Sequence, residues 1–138
     1  MIGWLSGEVV SRSGSVVILS VHGVGYEISV AGDVAHLSVG ANTDLYIHTH
    51  VRDDALVLFG FRDEADRAIF RLLLSTPGIG PTTALGALSH LSGDELIRAI
   101  DEEDVSAISK IPGIGKKTAS RLILELAGKL VRPAEVAP

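Results

Sequence analysis

The residues with the clearest chemical purpose in this 138-residue chain are glycines set in a repeated octapeptide. Pro77-Gly78-Ile79-Gly80-Pro81-Thr82-Thr83-Ala84 returns as Pro112-Gly113-Ile114-Gly115-Lys116-Lys117-Thr118-Ala119. In each copy the spacing predicts a helix that ends before the proline, a reversal through Gly-Ile-Gly, and a new helix opening with Thr and Ala in its first turn. The first amides of a helix have no internal partner and the helix dipole is positive there, so the arrangement suits an anion, above all a phosphate. Gly78, Gly80, Gly113 and Gly115 leave room for it, while Ile79 and Ile114 are expected to wedge each turn into the core. Lys116 and Lys117 add charge where the amides of the second copy point, Thr118 follows them, and Arg121 lies one turn further along the same helix. The first copy has Pro81, Thr82 and Thr83 instead of lysines, so its grip rests on amides and hydroxyls, and the second copy is expected to contribute more affinity. Phosphate contacts carry no base information, so binding of this kind selects shape and ignores sequence.

The charge is distributed to match. The chain is acidic overall, at -5, yet Lys110, Lys116, Lys117, Arg121, Lys129 and Arg132 face a single acid, Glu125, between residues 110 and 132. Between Asp94 and Asp104 the balance reverses, with six acids against Arg98. Opposed blocks of this kind predict one surface that attracts phosphate and one that repels it.

The elements that must hold these turns fall into two textures. Residues 1–62 are rich in Val, Ile and Gly, and strands are predicted at Val16–Val21, Tyr26–Val30, Leu45–Val51 and Leu56–Phe61. Turn signals at Ser13-Gly14, Gly23-Val24-Gly25 and Arg52-Asp53-Asp54 separate them, and a small barrel of about five strands is the natural closure. One helical turn is expected at Asp33–Ser38. Beyond Phe61 the pattern becomes helical, with an acidic first turn at Asp63 and Glu64 and helices expected at Thr82–Leu88, Asp94–Ile100 behind a Ser92 to Glu95 capping box, Val105–Lys110 and Lys117–Leu130. The domains are therefore expected at 1–62 and 63–131, with 132–138 beginning a flexible linker. The absence of a long apolar run and of a signal-peptide pattern gives a cytoplasmic expectation. With no cysteine, disulfides and thiolate chemistry are excluded.

With its tandem glycine turns, the Met1-Ile2-Gly3 opening, Gly23-Val24-Gly25-Tyr26 and Phe59-Gly60-Phe61, the chain resembles, over essentially its whole length, the RuvA family of Holliday junction-binding proteins. The resemblance implies an α+β protein, an N-terminal OB-fold barrel followed by two helix-hairpin-helix motifs in an all-α domain. It implies a homotetramer, or an octamer, whose paired hairpins hold the minor groove of each arm of a four-way DNA junction. It implies that Asp53 and Asp54 form an acidic pin near the tetramer centre, where their charge repels phosphates and helps separate strands; otherwise Asp-Asp is a polar hairpin turn. It further implies service to recombination, repair and the SOS response, with a RuvB ATPase as motor and a RuvC resolvase as a further partner. The family's third domain, which meets the motor, has no counterpart before Pro138, so a truncated chain is expected and motor coupling is in doubt.

The rival readings are weaker. A helix-hairpin-helix glycosylase needs a catalytic Asp or Lys beyond the hairpin, and no such Asp follows Gly115. A nucleotide P-loop requires Ser or Thr where Lys117 stands and glycine where Lys110 stands, so no ATPase is expected in this chain. His48 and His50 share a strand face without an evident third ligand, so neither a metal nor any other cofactor is expected. Trp4, Tyr26, Tyr46, Phe59 and Phe61 are expected to serve a core. A general duplex-binding or protein-interaction module is the remaining alternative, and Lys116, Lys117 and Arg121 weigh against the latter.

Overall fold

The computed structural model describes residues 1–32 and 37–129; residues 33–36 of the helical turn expected at Asp33–Ser38, and the linker expected at 132–138, lie outside the described residues. The chain divides into two compact units, Met1–Arg67 and Ala68–Pro138, so the division falls inside a helix beyond the change of texture at Arg62.

In the first unit, β1 (Trp4–Ser13), β2 (Val16–Val21), β3 (Val24–Val30), β4 (Asn42–Arg52) and β5 (Ala55–Phe61) close into a barrel in the order β1-β2-β3-β5-β4, an OB-like topology. All neighbours are antiparallel except β3 and β5, whose parallel pairing of Ile28 with Leu58 closes the ring. Alternate residues point inward, and Val9, Val17, Leu19, Ile28, Leu45 and Ile47 are all but sealed from solvent.

β1 is the strand that sequence patterning passed over. Only Leu5 and Val9 of its ten residues are buried, and its pairing with β2 slips between Val9 and Ser11, so no clean alternation exists to be read. Gly7 lies in this strand because the Ser20 carbonyl crosses it closely: a Cβ there would stand only 2.2 Å from that oxygen. The β2–β3 reversal is also tighter than expected. It uses His22 and Gly23 alone, both at positive φ (49° and 88°), which is the two-residue geometry that matches strand twist, and Gly25 belongs to β3. Trp4 is 52% exposed and thus no core residue, a correction to its expected role, because it lies on the outer face of β1 opposite Tyr46.

The start of the chain is tied down by polar groups. Thr49, itself buried, donates through Oγ1 to the Ile2 carbonyl at 2.7 Å and accepts from the Ile2 amide at 3.2 Å. Arg67 donates to the carbonyls of Gly3 (2.7 Å) and Ile47 (3.2 Å), with its guanidinium 5.3 Å from the centre of the Tyr46 ring.

The helical elements are α1 (Glu64–Leu74), α2 (Pro81–His90), α3 (Gly93–Asp101), α4 (Val105–Ser109) and α5 (Lys116–Leu126). α4 packs on α5, and α3 lies against both. Each helix buries one stripe, as α5 does with Ala119, Leu122, Ile123 and Leu126. α5 stops short of the expected Leu130: its cap, Ala127, has left helical geometry and Gly128 follows at φ 79°. α3 ends in a Schellman arrangement, Asp104 N donating to Ala99 O and Glu103 N to Ile100 O, which forces Glu103 to a φ of 54°.

Candidate nucleic-acid interface

The duplication read in the sequence is a duplication of backbone geometry. In the first hairpin the Ile79 amide donates to the Thr76 carbonyl at 3.2 Å, around Pro77 and a Gly78 held at φ 90°. In the second the Ile114 amide donates to the Ile111 carbonyl at 3.0 Å, around Pro112 and a Gly113 at φ 89°. Proline at the first central position and a positive-φ glycine at the second make both of them type II turns. Ile79 and Ile114 are the buried wedges, at 6% and 3% exposure, while the glycines on either side of each face solvent.

Each turn hands the chain to a helix through a glycine N-cap in extended geometry, Gly80 at φ -94° and Gly115 at φ -87°. Neither cap supplies a side-chain hydrogen bond. The other two interior helix starts are treated differently. Ser92 Oγ accepts from the Glu95 amide at 3.1 Å while Glu95 accepts from the Ser92 amide at 2.9 Å, which is the expected capping box, and Asp104 accepts from the Ala107 amide at 3.0 Å. The Ser92 backbone amide, followed by its hydroxyl, holds the Glu95 carboxyl below the usual glutamate range. So the helices outside the repeat satisfy their first amides internally and with acids, whereas α2 and α5 present theirs without either.

Around the second start, Lys116, Lys117 and Arg121 are exposed and Thr118 is half-buried; Arg121 stands 3.6 Å from Glu125 across a surface pair too weak to hold it from another anion. Around the first, Thr82 is exposed and Thr83 half-buried. The two starts are brought together: a Cβ on Gly113 would lie 3.1 Å from Thr83 Oγ1. Asp53 and Asp54 belong to the other unit, where they form the exposed two-residue turn between Arg52 of β4 and Ala55 of β5.

Several groups had no sequence signal. Arg67 reads as an ordinary helical surface residue until its two carbonyl acceptors are seen. Thr76 is 1% exposed with its hydroxyl unpartnered, at the position where the second copy has the buried Ile111. The His48 and His50 rings stand 6.2 Å apart with Phe59 edge-on to His50, and among the described residues no group of three or more His, Asp or Glu is placed to hold a metal. No helix among the described residues is long and apolar enough to cross a membrane.

Two family models match the two halves: the RuvA N terminal domain over residues 1–60 and the SAM-like helix-hairpin-helix tandem over residues 70–127. Among curated relatives, the Holliday junction branch migration complex subunit RuvA of Herpetosiphon aurantiacus is 49% identical over 131 residues, covering 94% of this chain and 66% of the relative. The protein of the same name from Neisseria gonorrhoeae is 46% identical over 95% of this chain and 69% of its own length. That of Marinomonas sp. is 41% identical over 98% of this chain and 68% of its own. The chain thus spans about two thirds of the length of the relatives it matches. A barrel and a tandem of glycine turns, matched in order and nearly end to end at this identity, place the chain in the RuvA family.

Proposed function

We propose that this chain binds four-way DNA junctions by their phosphates and holds them open for ATP-driven branch migration by a RuvB-type motor. The observation that carries the reading is the pair of equivalent turns, each opening a helix whose first amides no side chain caps. Gly78, Ile79, Gly80 and the amides of Thr82 and Thr83 form one phosphate seat. Gly113, Ile114 and Gly115 with Lys116, Lys117 and Thr118 form the other, and Arg121 reaches the next phosphate along. The relatives' shared name, a Holliday junction branch migration complex subunit, supports the junction as the target.

Two seats per subunit are weak grips for an acidic chain. A homotetramer matched to four arms multiplies them, because every arm after the first binds at a high effective concentration. Asp53 and Asp54, exposed at the β4–β5 turn, then serve as the acidic pin that keeps phosphate backbones apart at the crossover. ATP hydrolysis belongs to the motor, since Lys117 and Lys110 occupy the positions where a P-loop requires a hydroxyl and a glycine. The setting is the cytoplasm, in recombination and repair, with a RuvC-type resolvase as a further partner.

A gel-shift titration of a four-way junction against a linear duplex of the same arm sequence tests the reading. Tighter binding to the junction is expected. Equal affinity would reduce the chain to a general duplex-binding module.

A further inference from the structure

The two hairpins are equivalent in backbone but not in support. Residues of the second copy stand where the first copy's residues return after 35 positions, so Thr118 corresponds to Thr83 and Gly113 to Gly78. In an even exchange each threonine would lean on the other hairpin's glycine. Only one does. A Cβ on Gly113 would stand 3.1 Å from Thr83 Oγ1, 3.5 Å from its Cγ2 and 3.8 Å from its Cβ, whereas nothing lies within 4 Å of the same point on Gly78. The Thr83 side chain of α2 therefore stands over the open face of the second turn's glycine, and no atom stands over the open face of the first turn's glycine.

We propose that Thr83 is a positioning residue, whose side chain sets the second glycine turn, and with it Lys116 and Lys117, at the spacing from the first that two phosphates of one duplex require. The inference rests on the phosphate-binding reading above. Thr83 is half-buried, and its oxygen is the atom nearest the point that a Cβ on Gly113 would occupy. Its shape, then, is what the second turn feels. Its backbone amide, in the first turn of α2, remains directed to the first seat. The side chain of Thr82, one residue earlier and exposed, has no such neighbour role.

Shape and hydroxyl are separated by two substitutions: Thr83→Val keeps the branched outline and Thr83→Ala removes it. A labelled four-way junction titrated over a salt series is the first probe. Thr83→Val should bind within about twofold of the parent chain with an unchanged salt slope, and Thr83→Ala about fivefold more weakly with a shallower one, because Lys116 and Lys117 then lose part of their hold. Lys117→Ala should then cost less in the Thr83→Ala background than alone, while adding simply to Thr82→Ala. Amide hydrogen exchange without DNA is the second probe: Thr83→Ala should speed exchange at Ile114 and leave Ile79 as it was.

Three results would overturn the proposal. Thr83→Val as weak as Thr83→Ala would make the hydroxyl, and not the branched shape, the part that binding needs. Thr83→Ala binding like the parent chain would leave the contact without purpose. Equal changes in exchange at Ile79 and Ile114, or none, would remove the one-sided support itself. A parent chain that binds no DNA would instead defeat the phosphate-binding reading, and the exchange measurement would still decide whether Thr83 holds the second turn.

Discussion

The Arg67 guanidinium, near the start of α1, donates to the Gly3 carbonyl at the other end of its unit's sequence at 2.7 Å, and its second acceptor is Ile47 of β4. A charged donor shared between two main-chain carbonyls is worth more than a neutral hydrogen bond. Replacing it with a chain of similar length but no donors takes a charged donor from both carbonyls and leaves Gly3 O with the Ile47 amide, at 2.8 Å. Arg67→Met should lower the stability of the barrel unit by about 1.5–3 kcal/mol. Urea unfolding followed through the single tryptophan, Trp4, which pairs with Tyr46 under that guanidinium, measures it.

The two turn glycines make an internally controlled pair. Alanine at Gly78 or Gly113 meets the same backbone cost, since the two φ values are 90° and 89°. That cost is about 1–2 kcal/mol. Gly113→Ala also drives a methyl against Thr83, so its loss in thermal stability should exceed that of Gly78→Ala, and the excess isolates the contact.

Thr76 shows what the first copy of the repeat forgoes. Its hydroxyl is buried without a partner, in a place where Ile111 serves the second copy. Removing an unsatisfied buried oxygen while keeping the branched shape relieves a desolvation cost of about 1 kcal/mol. Thr76→Val should therefore raise the denaturation midpoint with no change in DNA affinity.

The α3 cap carries a pH dependence of known sign. The Ser92 amide lowers the folded-state pKa of Glu95, so the cap's stabilising contribution is complete above the ordinary glutamate value and is lost as the pH falls through the lowered one. Glu95→Gln keeps the capping geometry without the charge. The gap in urea midpoint between the parent chain and Glu95→Gln should narrow from neutral pH to about pH 3.

Lysines at the second seat should be legible in the salt dependence of binding. Each phosphate neutralised contributes about 0.9 to the slope of log affinity against log salt concentration. Lys117→Ala should reduce the slope of the parent chain by about one, and Thr82→Ala by nothing measurable, in the same junction titration.

Local chemistry is what the sequence determined by itself. Both Pro-Gly-Ile-Gly reversals, the Ser92 to Glu95 box, the amphipathic stripe of α5 and the two-residue Asp53-Asp54 turn each depend on a few consecutive residues, and each stands where its spacing put it. Tertiary structure decided what depends on residues far apart in the chain. β1 carries no alternation of its own, because its inward positions are few and its ladder slips at a bulge, so pairing with β2 and β4 defines it. Trp4 was left outside because barrel closure assigns faces to strands, and hydrophobicity alone does not say which face a residue takes. The reach of Arg67 to Gly3 and the pressure of Thr83 on Gly113 exist only once distant segments have packed, since steric and hydrogen-bond forces act over a few ångströms of space and are blind to separation along the chain.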